Sequence, residues 1–267
     1  MAHPQDPAAS VADVIEGEGP LVAAAIHDGH ALRPEVAALI ALDDSARLRE
    51  EDPFTADWTV VAPTRVVGRF SRFEVDLNRP REGAVYLTPE QAWGLDVWKR
   101  PPTPDVVARS LAAYDAFYDR LRRLLDEKAR AYGRFIVYDL HTYNHRRDGP
   151  SAPPADPAAN PQINLGTGTM NRQDWAPVID RFVADLRAAG AAAGHPLDVR
   201  ENVRFRGGYL ATWIHSTWPG AGCALSVEVK KFFMDEWTGR PYPGGIEHIR
   251  TSLGATVPGV LEALGKL

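Results

Sequence analysis

Three short, nearly uninterrupted apolar runs punctuate the chain: Leu21 to Ile26, Arg134 to Leu140 and Cys223 to Val229. Hydrophobicity that is continuous over so few residues, not alternating, predicts strands buried on both faces, as in a mainly parallel sheet. Between them, apolar positions follow a helical period. From Pro104 to Tyr132, Val107, Leu111, Tyr114, Phe117, Leu121, Leu124 and Leu125 recur three or four apart, and Gly133 supplies a stop. Gln173 to Ala193 has the same spacing. Pro34 to Leu42 predicts a short helix, and Ile246 to Leu264 a final one interrupted near Pro258. Trp58 to Val67 and Arg69 to Val75, rich in Val, Thr and Phe and split by Gly68, predict two strands able to pair antiparallel. Ile163 to Met170 predicts a return to the sheet edge. Asp43 to Pro53 reads as a charged loop, Asn78 to Thr103 as irregular chain, and the Pro/Ala/Asp-rich Arg146 to Pro161 as a mobile surface loop. With no internal repeat or linker, the pattern predicts one α/β domain over residues 1–267. Its sheet is mixed but mainly parallel and lies between helical layers, with residues 1–19 loosely packed.

Composition narrows the classes of function. The chain has 267 residues, 45% of them hydrophobic, and a formal charge of −5. A general nucleic-acid binder normally carries a basic excess, so none is expected here. A local basic pocket for a small anion is compatible with the balance. No apolar run approaches the length of a membrane span. Met1 to Pro20 holds Asp6, Asp13, Glu16 and Glu18 where a signal peptide would be basic and then apolar. The expectation is a cytoplasmic protein without a membrane partner. The single cysteine, Cys223, excludes an intrachain disulfide. Its apolar surroundings read as a core position, and no signature of a nucleophile accompanies it.

Four segments carry candidate chemistry: His27 after the first strand, Asp76 to Arg79 after another, Asp139 to His141 closing a third, and Glu228 within a fourth. Strand ends in open α/β sheets are where ligands bind. Two histidines there, with carboxylates, suit a catalytic zinc, which takes three N or O ligands and keeps one position for water. The metal acidifies that water and a carboxylate accepts its proton. Each residue also has a plain structural reading. A lone histidine can be a satisfied core group, Asn78 and Arg79 can anchor a turn, and Glu228 in its apolar strand can pair with a core arginine.

The wording of these segments adds a resemblance. Val75 to Arg79 (VDLNR) and Tyr138 to Tyr143 (YDLHTY) resemble segments of zinc carboxypeptidases, and Glu228 falls where their catalytic glutamate does. The chain is more similar to the N-formylglutamate amidohydrolase family. That family combines His-x-Gly (His27 to Gly29), an acidic segment near Asp52, VDLNRP (Val75 to Pro80) and D-x-H (Asp139 to His141). It adds a GGY-x-T run, here one residue longer (Gly207 to Thr212), and AL-x-x-E (Ala224 to Glu228). The likeness spans roughly Leu21 to Trp237, and its specificity lies in the joint order of short motifs. It implies the zinc carboxypeptidase or phosphorylase/hydrolase-like fold, Zn2+ as cofactor, and His27, Asp52 and His141 as the metal ligands. Glu51 and then His30 are the alternatives for the second ligand. The first histidine segment departs from the carboxypeptidase His-x-x-Glu, having His30 at the fourth position. Asp28 and Thr142 also replace smaller residues.

The resemblance further implies Glu228 as general base and hydrolysis of an N-acyl amino acid, a small acidic metabolite such as N-formylglutamate. Arg72, four residues before Asp76, is a candidate for the oxyanion. Asn78 and Arg79 would hold a substrate carboxylate, the guanidinium offering a planar fork. Arg206 and Tyr209 would complete the pocket wall, and Asp139 would orient a ligand histidine. A carboxypeptidase, another amidase, or a non-catalytic binding module on the same fold are the competing expectations, and retention of Glu228 counts against the last.

Overall fold

A computed structural model describes residues 11–267. Its centre is a seven-stranded sheet built from β1 (Ala12–Ile15), β2 (Leu21–Ala25), β3 (Thr64–Gly68), β4 (Phe135–Tyr143), β5 (Ile163–Gly166), β6 (Val199–Glu201) and β7 (Gly222–Lys230), in the order β1-β3-β2-β4-β7-β5-β6. The four middle strands, β3, β2, β4 and β7, are mutually parallel. β1 pairs antiparallel with β3, and β5 antiparallel with β7. The sheet is therefore mixed and mainly parallel, as the apolar runs predict.

The helices are α1 (Pro34–Ala37), α2 (Asp44–Glu50), α3 (Thr55–Trp58), α4 (Pro104–Tyr132), α5 (Ala176–Ala192), α6 (Tyr209–Thr217) and α7 (Gly245–Leu264). Alternation along the buried strands sends neighbouring side chains to opposite faces. Ile136, Tyr138 and Leu140 of β4 join Leu225 and Val227 of β7 under α5 and α7, against Phe182, Leu253 and Val260. Phe135, Val137 and Ala224 face the other way, toward Phe117, Leu121 and Leu125 of α4 and Leu210 and Ile214 of α6. Cys223 is buried in the first of these cores, where burial pushes its thiol pKa up.

The α4 boundaries agree with the periodicity. Thr103 caps the amino end, Pro104 occupies the first turn, and Gly133 follows the last turn at φ 75°. Elsewhere the expectations need correction. Asp43 to Pro53 is not a loop but contains α2, with Asp43 accepting from Ala46 N–H at 2.8 Å. Of Trp58 to Val75 only Thr64–Gly68 is a strand. Trp58 ends α3, fully buried, with its indole N–H on Ile246 O at 3.2 Å, and Phe73 packs in a third small core with Val36 and Tyr86. α7 runs unbroken through Pro258. The proline lacks one helical hydrogen bond, but residue i−4 is Gly254, and burial of Ile249, Leu253, Val260 and Leu264 holds both halves on the core. Within the segment expected to pack loosely, Val11 and Ala12 are buried and Ala12–Ile15 form the β1 edge; residues 1–10 of that segment lie outside the described residues.

Arg146 to Pro161 has no strand or helix, and it is tied at both ends. Glu236 accepts from His145 N–H and Arg146 N–H (2.7 and 3.0 Å), and Tyr143 OH donates to Pro161 O. No helix among the described residues is long and apolar enough to cross a membrane.

Candidate active site

The carboxyl ends of β2, β4 and β7 open on one cavity of about 370 Å³. His27 lies two residues beyond β2. His141 lies within β4, not after it, because pairing with β7 continues to Tyr143 opposite Lys230. Apolar character stops at Leu140 where the site begins, which is why the pattern ends the strand early. The same register sets Glu228 directly beside His141. Asp52 arrives from the turn after α2, its N–H donating to His27 O at 3.0 Å.

His27, Asp52 and His141 are all at most 3% exposed and offer ligand atoms within 4.8 Å of one another. Asp52 Oδ2 lies 3.5 Å from His27 Nδ1 and 3.0 Å from His141 Nδ1. Each imidazole turns its other nitrogen to a carboxylate: His27 Nε2 to Asp76 Oδ1 at 2.7 Å, and His141 Nε2 to Asp139 Oδ1 at 2.8 Å. A carboxylate only accepts, so both Nε2 atoms donate. Both Nδ1 atoms then converge on the same Asp52 oxygen: as imidazolium N–H groups they donate to it, and as lone pairs they would share a cation with it. Two imidazoles and a carboxylate, with a carboxylate behind each imidazole, fit the donor set of a catalytic zinc. Thr142 Oγ1 donates to the other Asp52 oxygen at 2.9 Å.

The charges follow this geometry. Burial opposes ionisation of Asp52, but His141 and His27 hold its carboxyl below the usual range. Burial likewise opposes the imidazolium of His141, yet Asp139 and then Asp52 hold its pKa well above the ordinary value. Glu228 has no such partner, and burial pushes its carboxyl up to about 7. The alternative ligands Glu51 and His30 pair with each other instead, His30 Nδ1 to Glu51 Oε2 at 2.5 Å, and Ser71 donates to Glu51 as well.

The other candidates separate in space. Arg72 lines the cavity with its guanidinium fixed by Asp76 Oδ2 (2.8 Å), Glu50 O (3.2 Å) and Tyr86 OH (3.2 Å), 4.7 Å from the Trp93 ring centre. Arg79 lines it too, 39% exposed, with one long bond to Gln91 O at 3.3 Å. Arg206 lines it as well and is exposed. Asn78 lines the cavity, and its carboxamide also serves the fold: Oδ1 accepts from Leu210 N–H at 2.9 Å in the first turn of α6, while Nδ2 lies 3.3 Å from His141 Nε2. That approach requires glycine at 208, where any side chain would strike the Asn78 carboxamide. Tyr209 does not line the cavity. It begins α6 and packs on Tyr118, ring centres 5.8 Å apart.

Several lining residues were not expected: Glu50, Asn144 and Arg147 on one wall, and the buried Lys231. Lys231, three residues after Glu228, was the most findable, as a charge at the end of a buried strand. Asp76 stands inside a quoted motif, but nothing in its sequence neighbourhood connects it with His27.

A mixed, mainly parallel α/β sheet with a buried His, Asp, His cluster beside its strand ends sets the class of fold, and a family model places the chain further. The chain belongs to the N-formylglutamate amidohydrolase family, whose model matches residues 19–233. Its fold is similar to the crystal structure of N-formylglutamate amidohydrolase from Ralstonia eutropha JMP134, with a TM-score of 0.74 at 17% identity over 97% of this chain and 100% of that one. It is also similar to a gene product of Agrobacterium tumefaciens, with a TM-score of 0.66 at 18% identity and 97% of each chain covered. No curated protein matches the chain in sequence.

Proposed function

We propose that this chain is a zinc-dependent amidohydrolase that cleaves the amide bond of an N-acyl amino acid of the N-formylglutamate kind. One observation carries the reading: the buried His27, Asp52 and His141 cluster shares its cavity with a carboxylate, Glu228, that has no ion-pair partner among the described residues. Family membership and the matching fold support it.

His27, Asp52 and His141 would hold the ion, which when bound polarises a carbonyl and acidifies water. Glu228 takes the proton of the attacking water and passes it to the leaving nitrogen. A carboxyl raised toward neutrality is well matched to both transfers. Arg72, held by three partners, presents a fixed cation to the developing oxyanion without reorganising. Arg79 and Arg206 line the cavity and take the substrate's carboxylate, with the Asn78 NH2 beside them as a further donor. Seven cations (Arg49, Arg72, Arg79, Arg147, Arg204, Arg206 and Lys231) face three lining acids (Glu50, Asp52 and Glu228), which favours an anionic substrate.

The test combines elemental analysis with a substrate screen of N-acyl amino acids. Wild type should carry about one zinc per chain. Glu228→Gln should keep that zinc and lose roughly 10²- to 10⁴-fold in rate. Wild-type turnover by Glu228→Gln, or a wild type with no bound metal, defeats the reading.

A further inference from the structure

Helix α2 ends at Glu50, so its last carbonyls lack helical partners. Two cations, the buried Lys231 and the partly buried Arg72, take them up. Lys231 Nζ donates to Arg49 O at 2.6 Å and to Glu51 O at 2.8 Å, and Arg72 Nη1 donates to Glu50 O at 3.2 Å. The next residue is Asp52. Lys231 is 1% exposed, lies in the turn that ends β7, and lines the same cavity as Asp52 and Glu228. No carboxylate lies within ion-pair distance of it among the described residues. Its two hydrogen bonds go only to the backbone that delivers Asp52.

From this geometry we infer that Lys231 is a positioning residue: its ammonium clamps the carbonyls on either side of Glu50 and so fixes the Asp52 carboxylate against His27 and His141. The clamp joins the strand that carries Glu228 to the turn that carries Asp52. A free helix end at a cavity wall can be capped by water, which would leave the turn free to shift. A buried lysine is costly unless its donors are satisfied, and here satisfying them immobilises one segment.

The inference rests on the metal reading above, and a zinc-affinity cycle separates the two. Apo protein is titrated with zinc against a chromophoric chelator for wild type, Lys231→Met, Asp52→Asn and the double variant. Lys231→Met should weaken zinc binding about 10- to 100-fold, as loss of groups supporting a ligand does. It should weaken binding no further when Asp52 is already Asn, because it acts through that residue. An affinity for Lys231→Met within twofold of wild type overturns the inference, as does an equal loss in both backgrounds. If Lys231→Met does not fold, Lys231→Gln takes its place in the cycle, with a loss of about tenfold expected and no loss counting against the clamp. A wild type that binds no zinc removes the metal reading and this inference together, whereas the preceding outcomes remove the inference alone.

Discussion

Replacing Asp76 by Asn tests how the first histidine is held. Asp76 is fully buried and serves four donors. Its Oδ1 accepts from His27 Nε2 and Asn78 N–H, both at 2.7 Å. Its Oδ2 accepts from Arg72 Nη2 at 2.8 Å and from Tyr86 OH. Burial opposes its charge, but Arg72 and then His27 hold the carboxyl well below the usual range. A carboxamide fits the space but must turn its NH2 toward one pair of donors. Each side holds one donor that cannot give up its proton, Arg72 or Asn78 N–H; the guanidinium's charge keeps the oxygen, so the NH2 faces His27 and Asn78 N–H loses its acceptor. His27 then has to accept at Nε2 and carry its proton on Nδ1, the nitrogen that would hold the ion. Zinc affinity should fall about 10- to 100-fold. Loss of one charged bond costs about 1.5–3 kcal/mol, and breaking a buried pair as much as about 3–5 kcal/mol, so stability near neutral pH should drop by about 3 kcal/mol. Because the folded-state pKa is depressed, this contribution is present above the unfolded value of about 3.9 and is lost as pH falls below it. The gap between wild type and variant should therefore narrow in acid. Urea unfolding across pH and chelator competition measure both effects. Unchanged zinc affinity, with less than about 1 kcal/mol of destabilisation, would refute the assignment of Asp76.

Arg79→Lys should lower kcat/KM about 10- to 100-fold for an N-acyl amino acid, because an ammonium cannot reproduce the fork. The matching carboxamide should be little affected, and equal losses on both substrates would make Arg79 structural. His215 links Thr169 Oγ1 (2.9 Å) to Ala224 N–H (2.9 Å), and burial pushes its pKa down to about 4. The unfolded chain binds this proton near pH 6.5, so the neutral ring contributes stability above that pH, and the contribution is lost as pH falls toward 4. Wild type should lose about 1–2 kcal/mol more than His215→Gln between pH 7.5 and 5 in urea unfolding, and parallel curves for the two proteins would count against it.

What the sequence showed depended on whether a signal was local. The long α4 repeats over many turns and has its cap and stop in place, so its ends were readable. The buried strands were readable as runs, but the β4 end was not, because His141 and Thr142 are polar for the site's sake while still in the ladder. Helix α2 was hidden by charge: Arg47 and Glu50 are buried through tertiary partners that a hydropathy pattern cannot display. At the site, the order of short motifs pointed to His27, Asp52 and His141, and the three side chains do converge. Asn78 lines the cavity, but its Oδ1 also holds Leu210 N–H, 132 positions away, a use that the motif does not record. Asp76 and Lys231 act through contacts 49 and 180 positions away, which no local pattern records.

All nine residues of β4 are buried, yet Asp139, His141 and Thr142 among them are polar. With His27, Asp52 and Asp76 they place five ionisable groups in the interior, tolerable only because each answers another. Well-packed apolar residues in place of a buried charged set are often neutral or stabilising. The most stable chain on this backbone is therefore not the one that keeps the cluster. A search for thermostable variants that scores folding alone would converge on these positions and erase them, so any such programme has to hold them fixed and look for its gains at the helix ends and the surface.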